Sequence, residues 1–310
     1  MAVKDKPLNK SLSGALDRSR HESLLRSLNI IDRCSLAYNA VVVLLVLLFY
    51  SRISHWYLHV LLNVAMIATV LLVVFVIGDR TALAARLLRN LYPIALFLPL
   101  YEQTGFLNRI VIPELLNPFV RQVEESIFGF QPVVAFAQKF PQKWFAEYMY
   151  FAYSTYYLLF PGLGIFLCLR RTKMEVLDYM FSLCGVMYVS YLFYIFLPVS
   201  APCFEIEIGS APGSGPFTWI MGWIYRHLEG RGAAFPSSHV AVAAVVLYYA
   251  FRYARTALWV VAPLVVSLMA ATVYCRYHYA IDVLAGLAMA MVLIPLCRRI
   301  NPDLQRHTIL

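Results

Sequence analysis

The sequence predicts an all-α integral membrane protein of about eight transmembrane helices. Three observations carry that expectation. Apolar residues make up 61% of the chain and charged residues only 14%, where a soluble domain carries about a quarter charged. Uncharged apolar runs long enough to cross about 30 Å of hydrocarbon recur along it. The basic residues collect at the ends of those runs and alternate in density from one side to the other.

Seven runs stand out in order: Ser35–Ser51, Tyr57–Gly78, Tyr148–Leu169, Met180–Leu197, Gly232–Phe251, Ala257–Cys275 and Tyr279–Cys297. An eighth, around Asn90–Tyr101, has a short charge-free centre interrupted by Pro93 and Pro99, which membrane helices tolerate. Charge supports it. With eight spans and a cytoplasmic N-terminus, eighteen of the 26 Lys and Arg residues fall inside and eight outside, the bias of the positive-inside rule. Removing the third span would put the basic N-terminal segment opposite the later basic loops.

This gives a polar, basic cytoplasmic segment over residues 1–33, a transmembrane domain over 34–299 and a cytoplasmic tail over 300–310. The first 33 residues lack the apolar core of a cleaved signal, so the first span is expected to serve as an uncleaved anchor. The net charge of +9 is spread along span ends rather than gathered in one patch, which argues against a nucleic-acid partner. The six cysteines have no metal-ligand spacing. Cys203 and Cys275 fall near the outer face, where a disulfide is chemically permitted but not implied.

Two stretches do not span. Gly105–Lys143 mixes apolar and charged residues and suits either short helices lying in the outer interface or an ordinary loop. Val199–Ala234 holds a Gly, Pro and Ser-rich turn followed by an aromatic run, Phe217 to Tyr225.

The chemistry gathers in the C-terminal third. Phe235-Pro236-Ser237-Ser238-His239 opens the sixth span. Proline suits the first helical position, and the free N–H groups of a helix start, with the hydroxyls of Ser237 and Ser238, would seat a phosphate. Between the seventh and eighth spans runs Tyr274-Cys275-Arg276-Tyr277-His278-Tyr279-Ala280-Ile281-Asp282. If helical there, His278 and Asp282 share a face at i, i+4, and the carboxylate would hold one imidazole nitrogen and leave the other free. Both segments lie at outer ends, so the two histidines can meet. Taken singly, a serine here is a cap, and Arg231 or Arg276 is an interfacial anchor. Two histidines, an aspartate and an arginine converging at span depth make a functional site.

Residues 231–286, from Arg-Gly-Ala-Ala-Phe-Pro-Ser-Ser-His to Arg-Tyr-His-Tyr-Ala-Ile-Asp-Val-Leu-Ala-Gly, resemble the second and third signature motifs of the type 2 phosphatidic acid phosphatase superfamily, and most closely its inositol phosphorylceramide synthase branch. Upstream, Glu124–Tyr157 is loosely similar to that branch. The resemblance implies a six-helix core and a phosphohistidine mechanism with His278 as nucleophile, Asp282 orienting it and His239 protonating the leaving oxygen. Arg231, Ser237, Ser238 and Arg276 would bind phosphate. No metal or cofactor is required. The superfamily's first motif is absent, since Phe196 to Pro202 holds no basic residue, and Thr272 stands where an arginine usually precedes the nucleophile.

The expected substrate is a lipid phosphate, with the phospho-head group passed to an alcohol acceptor or, alternatively, hydrolysed off. The site is expected on the extracytoplasmic side. A membrane transporter is the competing class, and it would spread ionisable residues over several spans at mid-membrane. Here they are expected to cluster at one depth on one side.

Overall fold

The computed structural model describes residues 27–78, 80–206, 215–228 and 232–301. Among these the chain is helical and holds no β-strand, only an isolated bridge between Val199 and Ala233.

Helix α1 (Ile30–Leu48) starts on a capping box, in which the Asn29 side chain accepts from the N–H groups of Ile31 and Asp32 and Asp32 accepts from the Asn29 N–H. α2 (Trp56–Leu72) continues through a π-turn to Ile77. α3 (Leu83–Leu107) is 25 residues long and carries Pro93 and Pro99 inside it. The span with the least distinct sequence signal is thus a continuous helix. It keeps polar character because Arg89 and Tyr92 both bond Asp32 of α1, Arg89 through two contacts of 2.8 and 2.6 Å. The pair is buried, and removing one partner would strand a charge in the bundle at a cost of about 3–5 kcal/mol.

Two short helices, α4 (Asn117–Phe128) and α5 (Pro132–Lys139), fill the stretch left open between interfacial helices and loop. α6 (Lys143–Ser154) and α7 (Tyr156–Arg170) form one span broken at Thr155, which begins earlier than the apolar run suggested. α8 (Lys173–Phe196), opened by a Thr172–Glu175 capping box, is the central helix. It packs against α1, α3, α7, α10 (Ser238–Tyr253) and α12 (Ala280–Ile300). α9 (Pro216–Leu228) lies on α6, and α11 (Leu258–Tyr274) joins α6 to α10.

Among the described residues six helical segments are long and apolar enough to cross a membrane: α1, α2 with its π-turn, α3, α6 with α7, α8 and α12. α11, with 17 residues, and α10, with 16, are shorter. The architecture is that of an all-α membrane protein.

One expectation needs correction. Buried ionisable groups do not gather at a single depth. At the end of the bundle opposite the histidines, Asp178 of α8 receives the hydroxyls of Tyr249 (2.9 Å) and Tyr253 (2.7 Å) and pairs with Arg298 at 3.2 Å. That cluster ties α8, α10 and α12 together and Asp32–Arg89 ties α1 to α3, a packing role the apolar pattern could not reveal.

Candidate active site

At the other end of the bundle, the N-termini of α10 and α12 meet. Gly286, one turn into α12 beyond Asp282, is where they touch, because a Cβ there would lie 2.4 Å from the Ser237 carbonyl oxygen. The Ser237 N–H donates to the Asp282 carbonyl at 3.0 Å. These contacts fix His239 on α10 beside His278 in the turn before α12.

At the first turn of α10 several of the N–H groups that its sequence offers to a phosphate already have partners. The helix begins at Ser238, and Pro236 lies before it, joined to Phe235 by a cis peptide bond. Ser237 is the N-cap, its hydroxyl accepting from the Val240 N–H at 3.3 Å. The Ser238 N–H donates to the Tyr194 hydroxyl at 3.2 Å, and that hydroxyl donates to the Pro236 carbonyl. A tertiary partner thus holds the Ser238 N–H and the local cap the Val240 N–H, two of the groups that a bare helix start would leave free.

His278 and Asp282 are related differently from two residues on one helical face. His278 precedes the helix, and Asp282, at the third helical position, accepts from the Tyr279 N–H at 2.8 Å. The carboxylate still approaches Nδ1 of His278 to 3.5 Å, but the shorter contact of that nitrogen is to the carbonyl oxygen of Ala234, at 3.0 Å. The second carboxylate oxygen, Oδ1, is buried without a hydrogen-bond partner.

Hydrogen bonding decides the tautomers. A carbonyl can only accept, so Nδ1 of His278 carries the proton and Nε2 presents its lone pair. Nε2 faces Nδ1 of His239 at 3.2 Å, which makes that nitrogen the donor. Nε2 of His239 then accepts from the Tyr153 hydroxyl at 2.9 Å, and Tyr153 contacts the Tyr225 hydroxyl at 3.0 Å. One directed chain runs from α9 through α6 and both histidines to the backbone of Ala234.

Aromatic rings enclose it. Tyr156 lies 4.3 Å and Tyr153 4.9 Å from the His239 ring, centre to centre, and Tyr225 stacks on Tyr277 at 3.4 Å. The cleft between the histidines has a volume of about 10 Å³, room for about one water. α9 is held over it at both ends, by Tyr225 and by Glu147 of α6. Glu147 accepts from the N–H groups of Gly215 and Phe217, at 2.9 and 3.0 Å, and from the Thr218 hydroxyl.

The family of the chain follows from its match. The sequence profile of the PAP2 superfamily fits residues 120–296. The chain belongs to the PAP2 superfamily. The matched segment runs from α4 into α12 and contains both histidines and Asp282, while α1–α3 precede it. No curated protein matches the chain significantly, and no solved structure does.

Arg276, one of the two cations expected to bind phosphate, does not line the cleft. Arg276 adopts a left-handed backbone (φ 62°), and its guanidinium reaches the carbonyl of Ile206 at 3.4 Å. Arg231 lies outside the described residues. Among the described residues, no Lys or Arg lines the cleft. Cys203 and Cys275 are not joined by a disulfide.

Sequence reasoning missed Tyr153, Tyr225, Glu147 and Ala234. With 21 tyrosines in the chain, nothing local marks two of them, and a carbonyl has no residue signature at all. Glu124 of α4 was visible only as one charge of an amphipathic stretch. It is fully buried, accepts from the Ile281 N–H at 3.1 Å, and so supports the start of α12 directly behind Asp282.

Proposed function

We propose that this PAP2 superfamily member is a lipid phosphotransferase working through a phosphohistidine, with His278 as nucleophile, His239 as general acid and base, and Asp282 as the charge that steadies the phosphorylated imidazole. The observation that supports it most is the bond from His278 Nδ1 to the Ala234 carbonyl, which leaves the Nε2 lone pair directed at His239.

In the first step Nε2 forms a bond to phosphorus as the bond from phosphorus to the lipid alcohol breaks, and protonated His239 gives its Nδ1 proton to the departing oxygen. In the second, an acceptor hydroxyl gives its proton to His239 and displaces His278 from phosphorus. Tyr153 both donates and accepts, so it can hold Nε2 of His239 in either protonation state. The phosphoryl group has to enter between the two histidines, which requires the cleft to widen by movement of α9. Arg231 and Arg276 are the cations that the sequence offers for the phosphoryl oxygens, and Ser237 and Ser238 the hydroxyls at the start of α10.

The site is assigned to the extracytoplasmic side because the end of the bundle holding the histidines is the one poorer in Lys and Arg. α10 has 16 residues and is about 24 Å long, short of the roughly 30 Å of hydrocarbon. A helix so short leaves an end within the hydrocarbon, and with its N-terminus there it would meet a lipid phosphate below the membrane surface.

Transfer is favoured over hydrolysis by the aromatic cover, since Tyr225 on Tyr277 closes the cleft to about the size of one water and would keep bulk water from a phosphohistidine. The pattern of lost cations resembles that of the inositol phosphorylceramide synthase branch and points the same way. Purified protein given a lipid donor labelled in its phosphoryl group and a mixture of lipid alcohols and polyols tests this. Label should appear on an alcohol, with an acid-labile adduct trapped on His278. Label released only as inorganic phosphate, at a rate indifferent to the alcohol, would establish a lipid phosphate phosphatase instead.

A further inference from the structure

A second cavity, of about 410 Å³, adjoins His239 and opens between α3, α7, α8 and α9. That volume is within the range of small-molecule sites. His239 is common to it and to the small cleft, whereas His278 borders the cleft alone. No Lys, Arg, Asp or Glu side chain lines it among the described residues. Its inner wall includes Phe97, Phe160 and Met187, all buried. Its rim includes Leu98 and Trp223, which are 53% and 46% exposed. A cavity so built admits a hydrocarbon chain sideways from the bilayer and offers nothing to a charged head group.

The chemistry gives this cavity a direction. In an in-line displacement at phosphorus the leaving oxygen is opposite the nucleophile, and the general acid stands beside that oxygen. With His278 attacking, whatever the leaving oxygen carries must extend past His239, and the space past His239 is this apolar cavity.

We infer that the cavity beside His239 holds the hydrocarbon chain of the leaving lipid alcohol, and that α3, which precedes the family-matched segment, sets the chain it accepts. The inference rests on the roles given above to His278 and His239. It identifies the donor as a lipid cleaved on the alcohol side of phosphorus, and a lipid acceptor, entering where the leaving oxygen departed, uses the same cavity in the second step. The Leu98 position on α3 is the point of control, because it forms the rim without touching either histidine.

The test has two arms. A single-chain lipid phosphate bearing a diazirine at the chain terminus is photolysed with His278→Ala protein, which removes turnover from the readout. Cross-links are expected on residues 94–98 of α3 and 156–160 of α7, and Leu98→Trp in that background should reduce them several-fold. In the otherwise native chain, Leu98→Trp should lower the ratio of kcat/KM for long-chain over short-chain lipid phosphates about 10-fold. Cross-links confined to other helices, or equal loss on both chain lengths, would overturn the inference. Cross-links in this cavity by a protein that turns over no lipid phosphate would instead remove the catalytic reading and leave the chain site standing.

Discussion

The carbonyl oxygen of Ala234 lies 3.0 Å from Nδ1 of His278 and so decides which nitrogen of that ring carries the proton and which the lone pair. Ala234 itself is set by the bond from its N–H to the Val199 carbonyl at 2.8 Å, in the segment leaving the central helix α8. The Nε2 lone pair is therefore aimed by backbone, and changes at Ala234 that keep the backbone should be tolerated where changes at His278 are not.

His278→Ala is expected to lower turnover of a lipid phosphate by at least about 1000-fold, and His239→Ala by about 100- to 10,000-fold, with Asp282→Asn milder than His278→Ala. kcat/KM should be bell-shaped in pH, since one histidine must be neutral and the other protonated, and chelators should leave the rate unchanged. Retained activity in folded His278→Ala, checked by size-exclusion in detergent, would rule out the phosphohistidine.

Tyr153→Phe keeps the ring contacts around His239 and deletes the hydroxyl 2.9 Å from its Nε2. Lost orientation of the acid should appear in the chemical step, as a fall in kcat of about 10-fold or more with KM little changed. A change in KM alone would mean that Tyr153 serves the substrate and not His239.

Glu124 gives a stability signature. Burial raises its carboxyl from the usual 4.5 to about 7, against the lowering effect of the Ile281 and Ala280 N–H groups, and the nearby Asp282 adds to the rise. Between these values the folded chain holds a proton that the unfolded chain has released, so this group's contribution falls as pH rises from about 4.5 to about 7. Relative to Glu124→Gln, the native protein's Tm in detergent should drop by about 2 °C or more from pH 5 to pH 8. Parallel pH profiles for the two proteins would contradict the burial of an ionisable Glu124 behind Asp282.

Gly286→Ala would place a methyl group 2.4 Å from the Ser237 carbonyl oxygen, and neither backbone can yield without moving a histidine. The variant should lose most activity and some thermal stability together. Gly162→Ala, in α7, with nothing within 4 Å of the added atom, should do neither in the same assays.

Orientation can be read chemically. Phe130→Cys, in the exposed link between α4 and α5, should react with a membrane-impermeant thiol reagent applied from outside intact cells, and Arg255→Cys, at the opposite end of the bundle, should not. The reverse pattern would put the histidines on the cytoplasmic side.

The sequence by itself determined the all-helical membrane architecture, because a bilayer forces backbone polar groups to pair within helices and long apolar runs record that requirement residue by residue. It also determined that His239 and His278 could meet, because the parity of spans puts both at one end. Only the tertiary structure decided the rest. Which nitrogen of His278 is free depends on a carbonyl from Ala234, 44 residues away in the chain. At the expected phosphate seat the Ser237 N–H meets the Asp282 carbonyl and the Ser238 N–H the Tyr194 hydroxyl, partners that come from other helices. The polar start of α3 is held by Asp32 of α1 accepting from Arg89, and the apolar cavity beside His239 depends on four helices meeting. Apolar runs record the solvent that each helix faces, one at a time, whereas hydrogen bonds and cavities between helices are properties of pairs, and a single sequence carries no mark of which pairs will form.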